Sequence, residues 1–346
     1  MSPLPPEDVL VARLATVFKA RRRDVLVPIG DDVAVVSPGG PVAVTTDVLV
    51  EGEDFRDGWD PERLGRKALA VNLSDLAAAG APPLYALLTL GLPREADPSW
   101  LEAFARGFRS VAVDFGVAVV GGDLTRSPVT FVSVTVIGRS PASPLLRSGA
   151  SPGDELWVSG TLGVAAAGLR ARLAGWDLDR QGVARGPAGR LAPERYRVAL
   201  SRMLRHQLEP RPMVDLGVAL AERGLATAAI DISDGLARDL HRLCRASGCG
   251  AVVELEALPV DSELSEVAKL LGLKPLPAAL YGGEDYGLLF AVSPGRSASV
   301  GRLSGRYALR KIGILRENPE IVLAAGPRHE PLPDVGFDHF AEAPGA

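Results

Sequence analysis

The chain has 346 residues, 47% of them hydrophobic and 23% charged, and a formal net charge of −4. That length suits about two domains with cores of ordinary size. The near balance of 38 basic against 42 acidic residues gives no electrostatic footing for nucleic acid or an anionic membrane, so a small solute is the expected partner.

The opening residues, MSPLPPEDVL, lack the charged start and apolar run of a secretion signal. No stretch reaches the roughly 20 apolar residues of a bilayer span, so a cytoplasmic protein is expected. The β-branched run 42–50 predicts a strand. Asp60 and Pro61 then suit the start of a helix on which Leu64, Ala68, Val71 and Asp75 recur at helical spacing, with Gly80 closing it. A second helix is predicted over 101–115 and a second strand over 129–138.

From 140 to 155 the composition turns to Ser, Pro and Gly, which predicts a boundary between domains at 1–139 and 140–346. Beyond it the pattern predicts a strand and glycine turn within 157–163, a helix over 162–174 and an exposed loop over 175–193. A helix over 212–223 and a short buried strand over 228–233 follow. The next helix is opened by Ser233 and Asp234 and stops near Gly248, and strands are expected at 250–255, 287–292 and 310–315. Strands and helices mix without strict alternation, so the class is α+β rather than doubly wound α/β. An internal echo, AVNLSDL at 70–76 against AIDISDGL at 229–236 and GGD at 121–123 against GGED at 282–285, suggests two related halves.

The chemistry lies in carboxylates set at the ends of apolar runs or in glycine turns: Asp31 and Asp32, Asp47, Asp75, Asp123, Asp231 and Asp234. Singly each has a structural use: Asp32 shaping a turn, Asp47 accepting from one, Asp234 capping a helix. Gathered in one poorly hydrated place they would repel and need compensation. The five lysines are not beside these motifs, whereas a divalent cation would serve. The histidines are scattered, and Cys244 and Cys249 have no second pair for zinc, so a metal here is held by oxygen and is magnesium or manganese. Gly121 and Gly122 would let main-chain N–H groups approach a phosphate, and Arg147 is the best-placed arginine. No GxxxxGK[ST] loop and no GxGxxG turn is present, so an acidic cage for a metal nucleotide must work without a P-loop.

As a set, GDDVAVV (30–36), TTDVLVEG (45–52), KALAVNLSDLAAAGAPP (67–83), VVGGDLTRSPV (119–129), RSGASPGDELWVSGTLG (147–163), AAIDISDGLARDLHRL (228–243), GGEDYGLLF (282–290) and GFDHF (336–340) resemble the successive signatures of the thiamine-monophosphate kinases, in the aminoimidazole ribonucleotide synthetase-like superfamily. The resemblance implies ATP-dependent conversion of thiamine phosphate to thiamine diphosphate, with several Mg²⁺ ions and a homodimer paired through its N-terminal domain. It implies metal ligation by Asp32, Thr45, Thr46, Asp47, Asp75, Asp123, Asp231 and Asp234, with Asp47, Asp75, Asp123 and Asp234 central to catalysis. ATP would meet Gly122, Asp123, Arg147 and Ser233, and thiamine phosphate would meet Glu284 and Phe337. Asp54 stands where the family commonly has a substrate-side histidine. The rival readings are another ATP-dependent enzyme of the superfamily with a different acceptor, or a nucleotide-binding protein weakened in catalysis.

Overall fold

The computed structural model describes residues 5–19, 22–29 and 33–340. It divides into two compact units, Met1–Pro144 and Leu145–Ala346.

In the first unit the elements are α1 (Glu7–Val17), β1 (Val25–Val27), β2 (Val35–Val36), β3 (Val42–Val50), α2 (Pro61–Ala79), β4 (Pro83–Leu92), α3 (Pro98–Asp114), β5 (Ala118–Arg126) and β6 (Phe131–Arg139). A four-stranded sheet runs β3-β6-β4-β5, with only the β4–β5 pair parallel. The predicted start of α2 is present: the Asp60 carboxylate accepts from the N–H groups of Glu62 and Arg63, Pro61 follows, and Gly80 ends the helix at φ 68°. Helices α2 and α3 meet where neither Gly65 nor Gly107 has space for a side chain, since a Cβ at either would overlap a carbonyl of the other helix. Strands β4 and β5 are additions to the sequence reading. Their residues are apolar on both faces near 84–90 and 118–120, so they lack the alternation that marks a half-buried strand.

The second unit contains β7 (Glu155–Ser159), α4 (Val164–Leu173), β8 (Asp177–Leu178), β9 (Ala184–Arg185), α5 (Glu194–Leu208), α6 (Val214–Glu222), β10 (Ala228–Asp231), α7 (Leu236–Ser247), β11 (Gly250–Glu254), α8 (Ser262–Leu271), α9 (Pro275–Tyr281), β12 (Leu288–Val292), α10 (Ser297–Gly301), α11 (Ser304–Tyr307), β13 (Leu309–Arg316), β14 (Ile321–Ala325) and β15 (Arg328–Pro331). Seven strands form one sheet in the order β10-β12-β7-β13-β11-β14-β15. Its core joins Leu156, Ile230, Val253, Leu289 and Ile312 from the strands to Leu236, Leu240 and Leu243 from α7.

Several details depart from the sequence reading, which also left α8, α9, β14 and β15 without an assignment. The predicted loop 175–193 carries the small β8–β9 hairpin. Helix α5 is unforeseen, although Ala199, Leu200, Met203, Leu204, Gln207 and Leu208 form its buried stripe among many polar residues. Helix α7 starts after Gly235 with no side-chain cap. Ser233 and Asp234 lie in the turn before it, and the carboxylate that braces this turn comes from Asp239 inside the helix. The echoing segments also differ locally: 70–76 is helix, whereas 229–236 is strand, turn and helix start.

Candidate functional site

In the second unit three loops come together. Ile232 N–H donates to Gly287 O at 2.8 Å, Tyr286 N–H to Ile232 O at 2.9 Å, and Glu284 N–H to Ser233 O at 2.8 Å. Phe337 N–H in turn donates to Asp234 O at 2.9 Å. These main-chain bonds bring the predicted ATP contact Ser233, the predicted metal ligand Asp234 and the predicted substrate contacts Glu284 and Phe337 into one loop cluster. Phe337 is 50% exposed, and its ring meets the His339 ring edge-on at 4.6 Å. Arg238 anchors the same segment, donating to Phe337 O and to Asp338, each at 2.5 Å. Asp231, at the end of β10, is buried beneath this turn.

The turn 233–234 is held by groups outside the candidate set. Asp239 is wholly buried and accepts from the N–H groups of Ser233 at 3.1 Å and Asp234 at 3.0 Å. Burial pushes its carboxyl up to about 6 from the ordinary carboxylate range, against the pull of those N–H groups. Arg242 pairs with Asp239 at 2.8 Å and with Asp234 at 2.6 Å. It supplies part of the compensation that the sequence reading sought in lysines and metal alone. A signal for it exists in the sequence, since Asp239 and Arg242 fall one turn apart at the start of α7.

The loop 282–287 is under visible constraint. Glu284 and Tyr286 hold φ values of 66° and 47°, a left-handed conformation uncommon for residues with a side chain. Asp285 between them is buried, and its carboxylate accepts from Gly163 N–H at 2.7 Å and Ala165 N–H at 3.1 Å, satisfying main-chain donors of the buried first turn of α4 that have no partner within the helix. Burial pushes Asp285 up to about 7. On α5, His206 Nε2 lies 3.1 Å from Asp285 O, and burial lowers its affinity for a proton. Gln207 Nε2 donates to Glu284 Oε2 at 3.1 Å.

Arg147 is exposed, with its carbonyl bonded to the Ser247 hydroxyl at 2.9 Å, while Leu146 O accepts from Ala229 N–H on β10. The chain carrying this arginine therefore runs beside the strand that leads into the 231–235 turn.

In the first unit, strand alternation places Thr45 and Asp47 on one face of β3 and Thr46 on the other. The Thr45 hydroxyl donates to Asp75 Oδ2 at 2.6 Å, joining β3 to α2. The Thr46 hydroxyl donates instead to Val134 O at 3.0 Å on the opposite face. Asp123 is exposed on β5, after Gly122, where a Cβ would overlap the Leu88 carbonyl oxygen. A cavity of about 150 Å³ opens beside them, walled by Leu14 of α1, by Phe18 just after that helix and by Leu88 and Val119 of the sheet. The Asp54 carboxylate accepts from Val50 N–H at 2.8 Å, so it closes the turn after β3. Asp31 and Asp32 lie outside the described residues.

Among the described residues no three acidic, histidine or cysteine side chains stand close enough to hold one metal ion. The reason within the first unit is topological. Asp47 and Asp123 sit on the two edge strands, three inter-strand steps apart or about 14 Å in a flat sheet. Cys244 and Cys249 are buried free thiols, with burial raising both away from thiolate.

Residues 30–140 match the family model of the AIR synthase related protein N-terminal domain, and residues 151–325 match that of the C-terminal domain. A thiamine-monophosphate kinase of Salmonella typhimurium is 41% identical over 290 residues, 83% of this chain and 82% of its own length. The chain belongs to the thiamine-monophosphate kinase family. Among solved structures of that family, the kinase from Stenotrophomonas maltophilia is 36% identical with a TM-score of 0.78, over 92% of this chain and 96% of its own. AaThiL complexed with AMPPCP and TMP is 31% identical with a TM-score of 0.71, over 83% of this chain and 86% of its own. No helix among the described residues is long and apolar enough to cross a membrane.

Proposed function

We infer that this protein is a thiamine-phosphate kinase, which transfers the γ-phosphoryl group of ATP to thiamine phosphate and yields thiamine diphosphate and ADP. The observation that carries the reading is the convergence of Ser233, Asp234, Glu284 and Phe337 on one loop cluster, in a chain 41% identical to a kinase of that name. A relative at 31% identity is complexed with AMPPCP and TMP together, which supports ATP and thiamine phosphate as the two substrates.

The chemistry is direct in-line transfer. An oxygen of the acceptor phosphate forms a bond to the γ-phosphorus as the bond to the β–γ bridging oxygen breaks, and ADP carries the electrons away. The acceptor oxygen is ionised near neutral pH, so no strong base is needed and positioning dominates. Gly122 offers its N–H to phosphate from a backbone that bars any side chain. Arg147 neutralises phosphate charge. Glu284 binds the cationic or aminopyrimidine portion of thiamine, and the half-exposed Phe337 stacks on a ring.

The hard oxygen donors present, with Thr45 already directed at Asp75, fit magnesium. We assign Mg²⁺ to Asp32, Thr45, Thr46, Asp47, Asp75, Asp123, Asp231 and Asp234, Thr46 by its main chain because its hydroxyl faces away. Bound magnesium would neutralise the phosphates of ATP.

We further assign the first unit to homodimerisation. Val42, Val44 and Val48 stand exposed along one face of edge strand β3, and β5 is the other edge. Pairing of these edges between two copies would bring Asp47 of one copy towards the β5 edge of the other, which carries Asp123. A cytoplasmic setting fits reduced, buried thiols.

The test is ADP release with thiamine phosphate, with thiamine, and with no acceptor. ADP that depends on thiamine phosphate is expected; none above the acceptor-free rate would leave a nucleotide binder.

A further inference from the structure

Gln207 is the one amide side chain of α5 turned into the loop cluster. It is wholly buried. Its Nε2 donates to Glu284 Oε2 at 3.1 Å, and no protein donor among the described residues meets its Oε1. An amide with one satisfied end is oriented by that end. Turned over, it would set Oε1 against a carboxylate oxygen, so chemistry fixes the Nε2 assignment.

The acceptor is an unusual residue. Glu284 lies in a left-handed conformation, after Gly283, where a Cβ would come within 2.5 Å of Ser233 O. Its main chain is fixed from one side by Ser233 O. From the other side α5 reaches it twice. His206 meets the carbonyl of Asp285, whose own carboxylate is locked on the start of α4. Gln207, the next residue, reaches the Glu284 side chain itself. A loop whose main chain is already held has no need of a buried amide for folding, and a methionine or leucine would fill the same space without leaving an acceptor unmatched.

We propose that Gln207 is a positioning residue for substrate choice: it holds the Glu284 carboxylate in the rotamer that receives the thiamine ring system. The proposal rests on the thiamine-phosphate reading above. It assigns to Gln207 an effect on the acceptor and none on the nucleotide.

The experiment is a double-mutant cycle of Gln207→Met and Glu284→Gln, read as KM for thiamine phosphate, KM for ATP, kcat and melting temperature. Gln207→Met should raise KM for thiamine phosphate about tenfold, the size of one hydrogen bond to a charged group. ATP KM should stay within about twofold. In the Glu284→Gln background the same change should add less than about twofold, because the partner is already altered. Equal rises in both KM values, or full additivity, would overturn the proposal. Should Gln207→Met fail to fold, the side-chain amide resonance of Gln207 in the intact protein decides. It should move on adding thiamine phosphate and lose exchange protection in Glu284→Ala, and an unchanged resonance refutes the role. Wild-type protein without acceptor-dependent ADP release would sink the kinase reading instead, while the amide resonance would still report the Gln207–Glu284 pair.

Discussion

Replacing Gly122 by alanine tests the first unit at the point where fold and chemistry meet. Gly122 holds φ 152° and pairs with Leu88 on the neighbouring parallel strand. An alanine Cβ would overlap the Leu88 carbonyl oxygen and stand 2.5 Å from its carbon, both of them backbone atoms that a rotamer change cannot move. Backbone in this glycine-only region costs a residue with a side chain about 1–3 kcal/mol. Parting the β4–β5 ladder enough to admit the methyl group forfeits one or two main-chain hydrogen bonds, at about 1 kcal/mol each. The sum, about 3 kcal/mol or more, corresponds to a fall of roughly 6–12 °C in melting temperature for a unit of this size. Gly121 is the internal control. There the nearest atom to an added methyl group is Leu87 Cδ2 at 3.1 Å, the end of a flexible side chain, so Gly121→Ala should stay within about 1 kcal/mol of wild type. Thermal melts and ADP-release assays of the two variants side by side give the answer. If both melt within about 2 °C of each other, the steric argument and the placement of the phosphate-binding turn fail together.

Asp75→Asn and Asp47→Asn should each lower kcat by about 100-fold or more with little change in melting temperature, since they remove charge from the transfer site; near-normal turnover in either would count against the metal assignment. Phe337→Ala should raise KM for thiamine phosphate about five- to tenfold and leave ATP untouched, as expected for loss of one ring contact on an exposed segment. Chelation of divalent cations should abolish thiamine-phosphate-dependent ADP release, and added Mg²⁺ should restore it. The pH dependence of stability has a definite sign at Asp285. Its folded pKa is raised to about 7, so its contribution is full below about pH 4 and is lost as pH rises through 7. Wild type should therefore lose stability relative to Asp285→Asn from pH 5 to pH 8, and a difference that does not change with pH would refute the shift.

Local chemistry makes much of the molecule legible. The cap, proline and terminal glycine of α2 are sequence signals that act within a few residues, and the helix begins and ends where they stand. The same holds for β3, whose β-branched run is its strand. Strands β4 and β5 are hidden because burial on both faces erases alternation, and α5 because its apolar stripe is sparse among polar residues. The candidate residues can be chosen from motif order alone, since glycine turns and carboxylates at strand ends recur along the chain as short local patterns. Their support cannot. That Asp239 braces the Ser233 turn, that Arg242 shares Asp234, and that Gln207 holds Glu284 across 77 positions of chain are long-range facts. They follow from which buried polar atoms meet once the core has closed, and a hydrogen bond between distant residues leaves no periodic trace in either segment.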